Sequence, residues 1–253
     1  MQLHYRKYGE GEPLIILHGL FGSSDNWHSL ARRWGDHYKV FALDQRNHGS
    51  SPHESTMSYE EMVQDLYEFI ALNRLETAHL VGHSMGGKVA MRFASIYPDL
   101  VKSLVVLDIG MEEVRDKHTD ILKVLQTIHP HEYTSRESFG QQLEKHIPGL
   151  PVRQFLLKNV LRRMDGSLAW KFNQDALLDH YADLIAGIEL DDPYIGSVLF
   201  LRGTHSDYLE PVLSAELLQR FPLAQLKSID NAGHWLHADQ PDEIFSQVIE
   251  FLR

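Results

Sequence analysis

Short, nearly continuous apolar runs alternate along the chain with segments whose apolar residues recur every three to four positions. The runs Leu14–Leu17, Val40–Leu43, Leu80–Val81 with Gly82, Val101–Leu107, Val198–Leu201 and Ala224–Ile229 read as strands. Between them, Trp27, Leu30, Ala31 and Trp34 share the spacing of one helical face, as do Tyr59, Met62, Val63 and Leu66. Ser58, three residues before Glu61, predicts a capping box at the start of the second helix. Strands that are apolar throughout, separated by helices, predict a mostly parallel sheet covered by helices on both faces. Such sheets place ligands at the carboxyl ends of their strands.

The alternation stops between Gly110 and Asp192, where helical patterns such as Phe155–Met164 and Ala176–Ile185 follow one another with no strand predicted. This predicts an α/β core formed by residues 1–110 and 193–253, with residues 111–192 inserted as a helical cap. The insertion closes at Pro193, after the acidic stretch Glu189-Leu190-Asp191-Asp192. Within it, Phe155, Leu156, Leu161, Trp170, Phe172, Leu177 and Tyr181 supply apolar surface for a cap core or for covering an acyl chain.

Composition narrows the function. The chain has 253 residues, of which 43% are hydrophobic and 23% charged, an ordinary globular balance that excludes disordered and fibrous classes. Its 24 Lys and Arg against 35 Asp and Glu give a formal charge of −11, which disfavours nucleic acid and anionic membranes as partners. The absence of cysteine removes disulfides, thiolate catalysis and Cys-based zinc sites together. The segment Met1–Lys7 lacks the apolar stretch of a secretory signal, and the apolar runs are far shorter than the ~18 residues of a spanning helix, so a cytoplasmic protein is expected.

The candidate chemistry sits where strands end. Gly82-His83-Ser84-Met85-Gly86 follows an apolar run and precedes a helix carrying Val89, Phe93 and Ile96 on one face, the setting of a nucleophile elbow. Small residues at 82 and 86 would let strand and helix approach while the Ser84 hydroxyl stands exposed. Gly82 and the later Gly87-Lys88 also approach a phosphate-binding loop, but Val89 stands where that loop needs a magnesium-binding hydroxyl. A serine nucleophile needs a base. His234, in Asn231-Ala232-Gly233-His234-Trp235 after the last predicted strand, fits best, with His83, His205 and His237 as competitors. Asp108 ends the strand Val101–Leu107 and Asp207 follows the next one. Both satisfy the order serine, acid, histidine. His129 and His131 lack the framework of a metal site, and no metal or organic cofactor is expected.

Together these segments resemble the α/β-hydrolase superfamily, and within it a group of small bacterial esterases and their mitochondrial relatives. The resemblance rests on His18-Gly19-Leu20-Phe21-Gly22-Ser23, Asp44-Gln45-Arg46-Asn47-His48-Gly49-Ser50-Ser51, the Ser84 elbow, Leu107-Asp108-Ile109-Gly110 and Gly233-His234-Trp235, and it covers essentially the whole chain. It implies a triad of Ser84, His234 and Asp108, with Asp207 as the alternative acid. The wider superfamily carries its acid three residues beyond the glycine of the strand after the cap, and that position here is Ser206. It further implies an oxyanion hole from the amides of Met85 and Leu20, with Phe21 as the alternative, and a substrate pocket that includes Trp235. Arg46 and His48 are expected to hold neighbouring loops together.

The implied activity is hydrolysis of small-molecule carboxylic esters or thioesters through an acyl-enzyme. Acyl-CoA is included if the cluster Arg153, Lys158, Arg162 and Arg163 receives its phosphates. Hydrolysis of carbon–carbon bonds in diketones, or a non-catalytic role as a ligand receptor or signalling module, are the alternatives on the same fold.

Overall fold

The computed structural model describes residues 1–115, 117–190 and 192–253. In chain order its elements open with β1 (Tyr5–Tyr8), β2 (Pro13–Leu17), a 3-10 turn at Ser24–Trp27, α1 (His28–Trp34), β3 (Lys39–Leu43) and α2 (Tyr59–Leu72). β4 (Ala78–His83), α3 (Met85–Ile96) and β5 (Val101–Leu107) follow. The chain then runs through α4 (Thr119–Thr127), α5 (Arg136–Glu144), α6 (Leu150–Lys158), β6 (Val160–Arg162), β7 (Leu168–Trp170), α7 (Gln174–Asp179) and α8 (Tyr181–Ile185). It ends with β8 (Val198–Gly203), α9 (Ala215–Arg220), β9 (Ala224–Ile229), α10 (Leu236–Asp239) and α11 (Pro241–Leu252).

Seven strands form one sheet in the order β1-β3-β2-β4-β5-β8-β9. β1 runs antiparallel to β3, and every other pairing in that sheet is parallel. The period-two geometry of strands divides the apolar runs between two cores. Ile15, Leu17, Leu80, Leu104, Val106 and Phe200 pack against α2, α3 and the inserted segment. Their neighbours Leu14, Ile16, Val81, Val105, Leu199 and Leu201 pack against α1 and α11 on the opposite face. The capping box forms as the sequence predicts: Ser58 Oγ accepts from the Glu61 amide at 3.2 Å, and the Glu61 carboxylate accepts from the Ser58 amide at 3.0 Å.

The structure departs from the sequence reading in three places. β1 is a largely exposed edge strand whose Tyr-Arg-Lys-Tyr sequence has no apolar run to reveal it. The helix expected over Phe155–Met164 ends at Lys158, because the chain turns into the hairpin β6–β7, with Gly166 at φ 87° in the turn. The pattern at Ala176–Ile185 is two short helices broken at His180. Residue 191 of the closing acidic stretch lies outside the described residues.

The inserted segment leaves and re-enters the core along two strands of chain that touch each other, with Val114 bonded to Ile185 and Ile188 to Met111, each at 2.8 Å. One face of α3 is stitched to the returning chain. Lys88, Arg92 and Ser95, at i, i+4 and i+7, donate to the carbonyls of Ala186, Glu189 and Asp192 at 2.5, 2.5 and 2.8 Å. Among the described residues no helix is long and apolar enough to cross a membrane.

Ser58→Ala removes an acceptor from the first turn of α2. It should lower the unfolding free energy by ~1 kcal/mol, read as a reduced urea midpoint at an unchanged denaturant slope.

Candidate active site

Strand register brings the chemistry together. His83 pairs with Leu107 and Leu107 with Leu201, so Ser84 and Asp108 step off neighbouring strands side by side. The Ser84 amide donates to Leu107 O at 3.1 Å and the Asp108 amide to Leu201 O at 2.8 Å. Both residues then turn sharply through positive φ, 52° at Ser84 and 56° at Asp108. Each such conformation costs on the order of 1–3 kcal/mol and persists only where the surroundings impose it. At Ser84 the glycines impose it: a Cβ at Gly82 would run into the carbonyl of Gly86, and one at Gly86 into the carbonyl of Leu17.

His234 arrives from the loop after β9. Its Nε2 lies 3.0 Å from Ser84 Oγ and its Nδ1 lies 2.8 Å from Asp108 Oδ2. A carboxylate only accepts, so Nδ1 carries the proton and Nε2 is left to accept from the serine hydroxyl. Asp108 is fully buried, and it also accepts from the Gly203 amide at 3.0 Å and from the Ser206 hydroxyl. The Tyr208 ring stacks on the His234 imidazole at 3.6 Å and 15°.

Asp207 lies elsewhere. It is 84% exposed and paired with Lys117, whose ammonium holds its carboxyl below the ordinary range. Of the competing histidines, His83 points away from the serine, and its Nε2–H donates to the carbonyl of His234 at 2.8 Å. His237 stacks on Trp27 at 4.3 Å.

The loop after β2 holds the other half of the site. The Phe21 amide is engaged, donating to His48 Nε2 at 3.1 Å, while His48 Nδ1–H donates to Arg46 O at 2.9 Å. Among the described residues, the amides of Leu20 and Met85 have no protein acceptor, and both residues border the cavity at Ser84. Burial pushes His48 down to about 3 and also lowers His18, so both rings act as neutral struts. His18 Nε2 accepts from the Gln45 amide at 3.0 Å. Arg46 pairs with Asp65 at 2.6 Å and Glu61 at 2.8 Å. Sequence reasoning anticipated the loop-holding roles of Arg46 and His48, and it missed those of Ser206, Tyr208 and His83.

Two cavities meet at Ser84. One is lined by Phe21, Trp27, Ile121, Phe155, His234 and Trp235, among others. Trp235 packs there on Phe155 of α6 at 5.3 Å. The second is narrower and is bordered by Lys88. The basic residues expected to cluster do not share a helix face: Arg153 and Lys158 lie on α6, whereas Arg162 lies in β6. Arg153 donates to Ile147 and Pro148 carbonyls and Arg162 to those of Thr134 and Gly166. Among the described residues no group of three or more His, Asp or Glu is placed to hold a metal ion.

Comparison with known proteins agrees with the fold. A family profile described as "alpha/beta hydrolase fold" matches residues 12–241. The chain is 38% identical over 256 residues to the sn-1-specific diacylglycerol lipase ABHD11 of Danio rerio, covering 97% of this chain and 80% of that protein. It is 33% identical over 241 residues to esterase YbfF of Escherichia coli, covering 95% and 92%. A solved structure described as a marine microorganism esterase superposes with a TM-score of 0.96 at 44% identity, covering 99% of both chains.

Burial lowers His237 to about 3 from an ordinary 6.5. As pH falls below 6.5 the unfolded chain binds a proton that the folded chain refuses until about 3, so stability is lost across that window. His237→Phe keeps a ring on Trp27 and should make the fall in unfolding free energy between pH 6.5 and 5 shallower by about one proton. Equal slopes in urea titrations would show that this ring protonates in the folded chain.

Proposed function

The chain belongs to the α/β-hydrolase family, as a hydrolase of the esterase and lipase kind, and on that premise we propose that it cleaves small carboxylic esters, and thioesters by the same route, through an acyl-enzyme on Ser84. The observation that carries this reading is the unbroken run of contacts from Ser84 Oγ through His234 to Asp108, 3.0 and 2.8 Å long. Ser84 Oγ attacks the carbonyl carbon while its proton passes to His234 Nε2. The carbonyl electron pair collects on oxygen, where the Leu20 and Met85 amides and the start of α3 stabilise it. One such donor contributes ~10²–10³ in turnover.

The carbon–oxygen or carbon–sulfur bond then breaks, and His234 hands its proton to the leaving group. Water adds to the acyl-enzyme as His234 takes its proton, the bond to Ser84 Oγ breaks, and the serine recovers its hydrogen as the acid leaves. Asp108 keeps the imidazole in the required tautomer and balances its transient positive charge. The aromatic lining at Phe21, Trp27, Phe155 and Trp235 gives the alcohol or thiol part an apolar berth.

A fluorophosphonate probe followed by peptide mapping should label Ser84 alone, and Ser84→Ala should abolish both label and turnover. Label on another serine, or turnover surviving in Ser84→Ala, would falsify the assignment. Asp108→Asn should reduce kcat by on the order of 10⁴, the scale typical of losing the acid of such a triad, while Asp207→Asn stays close to the parent. Steady-state kinetics with a short-chain ester and its thioester reads both variants, and the reverse ranking would move the acid to Asp207.

A further inference from the structure

The two cavities at Ser84 are chemically unlike. His234 lines the larger one and is absent from the lining of the smaller. The leaving group must take its proton from His234, so it belongs in the larger cavity, and the acyl group extends into the smaller. That second space is lined by Val114, Leu184 and Ile185 and by the polar side chains of Tyr59, Lys88, His118 and Tyr208.

Lys88 stands four residues after Ser84, in the first turn of α3, where it lines the second cavity with Ser84, and it is 1% exposed. Its Nζ donates to the carbonyls of Glu112 at 2.9 Å and Ala186 at 2.5 Å. An ammonium has three N–H groups. Among the described residues the third has no acceptor, and Nζ lies 5.9 Å from the centre of the Tyr59 ring. Tyr59 commits its hydroxyl hydrogen to Leu184 O at 2.7 Å. Among the described residues no carboxylate forms an ion pair with Lys88. Glu112 and Glu113 favour its charge only from a distance.

Burial lowers the Lys88 ammonium to about 8, which leaves it mostly protonated at neutral pH. A cation buried without a contacting counter-ion is costly unless a partner meets it.

We infer that Lys88 is a specificity-determining residue that receives a carboxylate at the far end of a short acyl group, so that the preferred substrates are half-esters or half-thioesters of short dicarboxylic acids. This rests on the acyl-enzyme reading of Ser84. It gives the lysine a task beyond tying the inserted segment to α3, which two of its three N–H groups already do.

The test compares monomethyl succinate with methyl butyrate, and monomethyl glutarate with methyl pentanoate, by methanol release from the full chain. The parent should favour the half-ester of each pair in kcat/KM. Lys88→Met should reduce that ratio by about tenfold to a hundredfold, the worth of one buried hydrogen bond to a charged group. Inhibition of the parent by free succinate against free butyrate reads the same preference without a variant, and succinate should be the stronger inhibitor. An unchanged ratio in a folded Lys88→Met, or equal inhibition by the two acids, would leave Lys88 as a strap alone and overturn the inference, with the Ser84 reading intact. Absence of turnover on all four esters, together with no probe label on Ser84, would sink both.

Discussion

The hydrogen-bonded ladder between β4 and β5 is the constraint on which the site depends. Because His83 faces Leu107 across it, the first residues beyond the two strands are a serine and an aspartate, each turned through positive φ. Neither turn is favourable on its own. Each is enforced from outside, by glycines that admit close backbone approach around Ser84 and by the bonds from the Gly203 amide and the Ser206 hydroxyl that fix the Asp108 carboxylate. A slip of one residue along either strand would turn that strand's side chains to the opposite face of the sheet and part the serine from the aspartate, so the apolar alternation that builds the two cores also sets the chemistry.

Buried histidines form a second layer of this control. Burial keeps His18, His48 and His83 uncharged, and a neutral imidazole can donate from one nitrogen and accept at the other. His48 uses both to hold the Phe21 amide and Arg46 O, and His18 fixes Gln45 against the same loop. The Phe21 amide is engaged in this way while that of Leu20 has no protein acceptor among the described residues, which is why the two neighbouring candidates for one oxyanion contact are not equivalent here.

The sheet was legible because its strands are continuous apolar runs, and the elbow because Gly82, Ser84 and Gly86 have few other uses in that setting. What the sequence left open was tertiary. Asp108 and Asp207 satisfy the same order along the chain, and only the register and the outward pairing of Asp207 with Lys117 separate them. The misread helix at Phe155–Met164 had a usable warning in Asp165-Gly166, a turn pair that favours a two-stranded hairpin, and Gly166 does adopt the positive φ such turns require. β1 gave no warning, since Tyr5 packs from the sheet edge onto Phe41 and Phe69, and Tyr8 onto His28, with little apolar sequence around them. Lys88 looked like part of a failed phosphate loop, and only burial revealed it as a polar group beside the serine.

The bond from His83 Nε2 to the carbonyl of His234 joins the residue before the nucleophile to the backbone of the histidine opposite it, 151 positions later in the chain. Beside the bond from His234 Nδ1 to Asp108, it is a second direct tie from the loop after β9 to the ends of the central strands. The loop that carries the base is thus fastened to the strand that carries the nucleophile, so the reacting pair shares a short tether as well as a sheet.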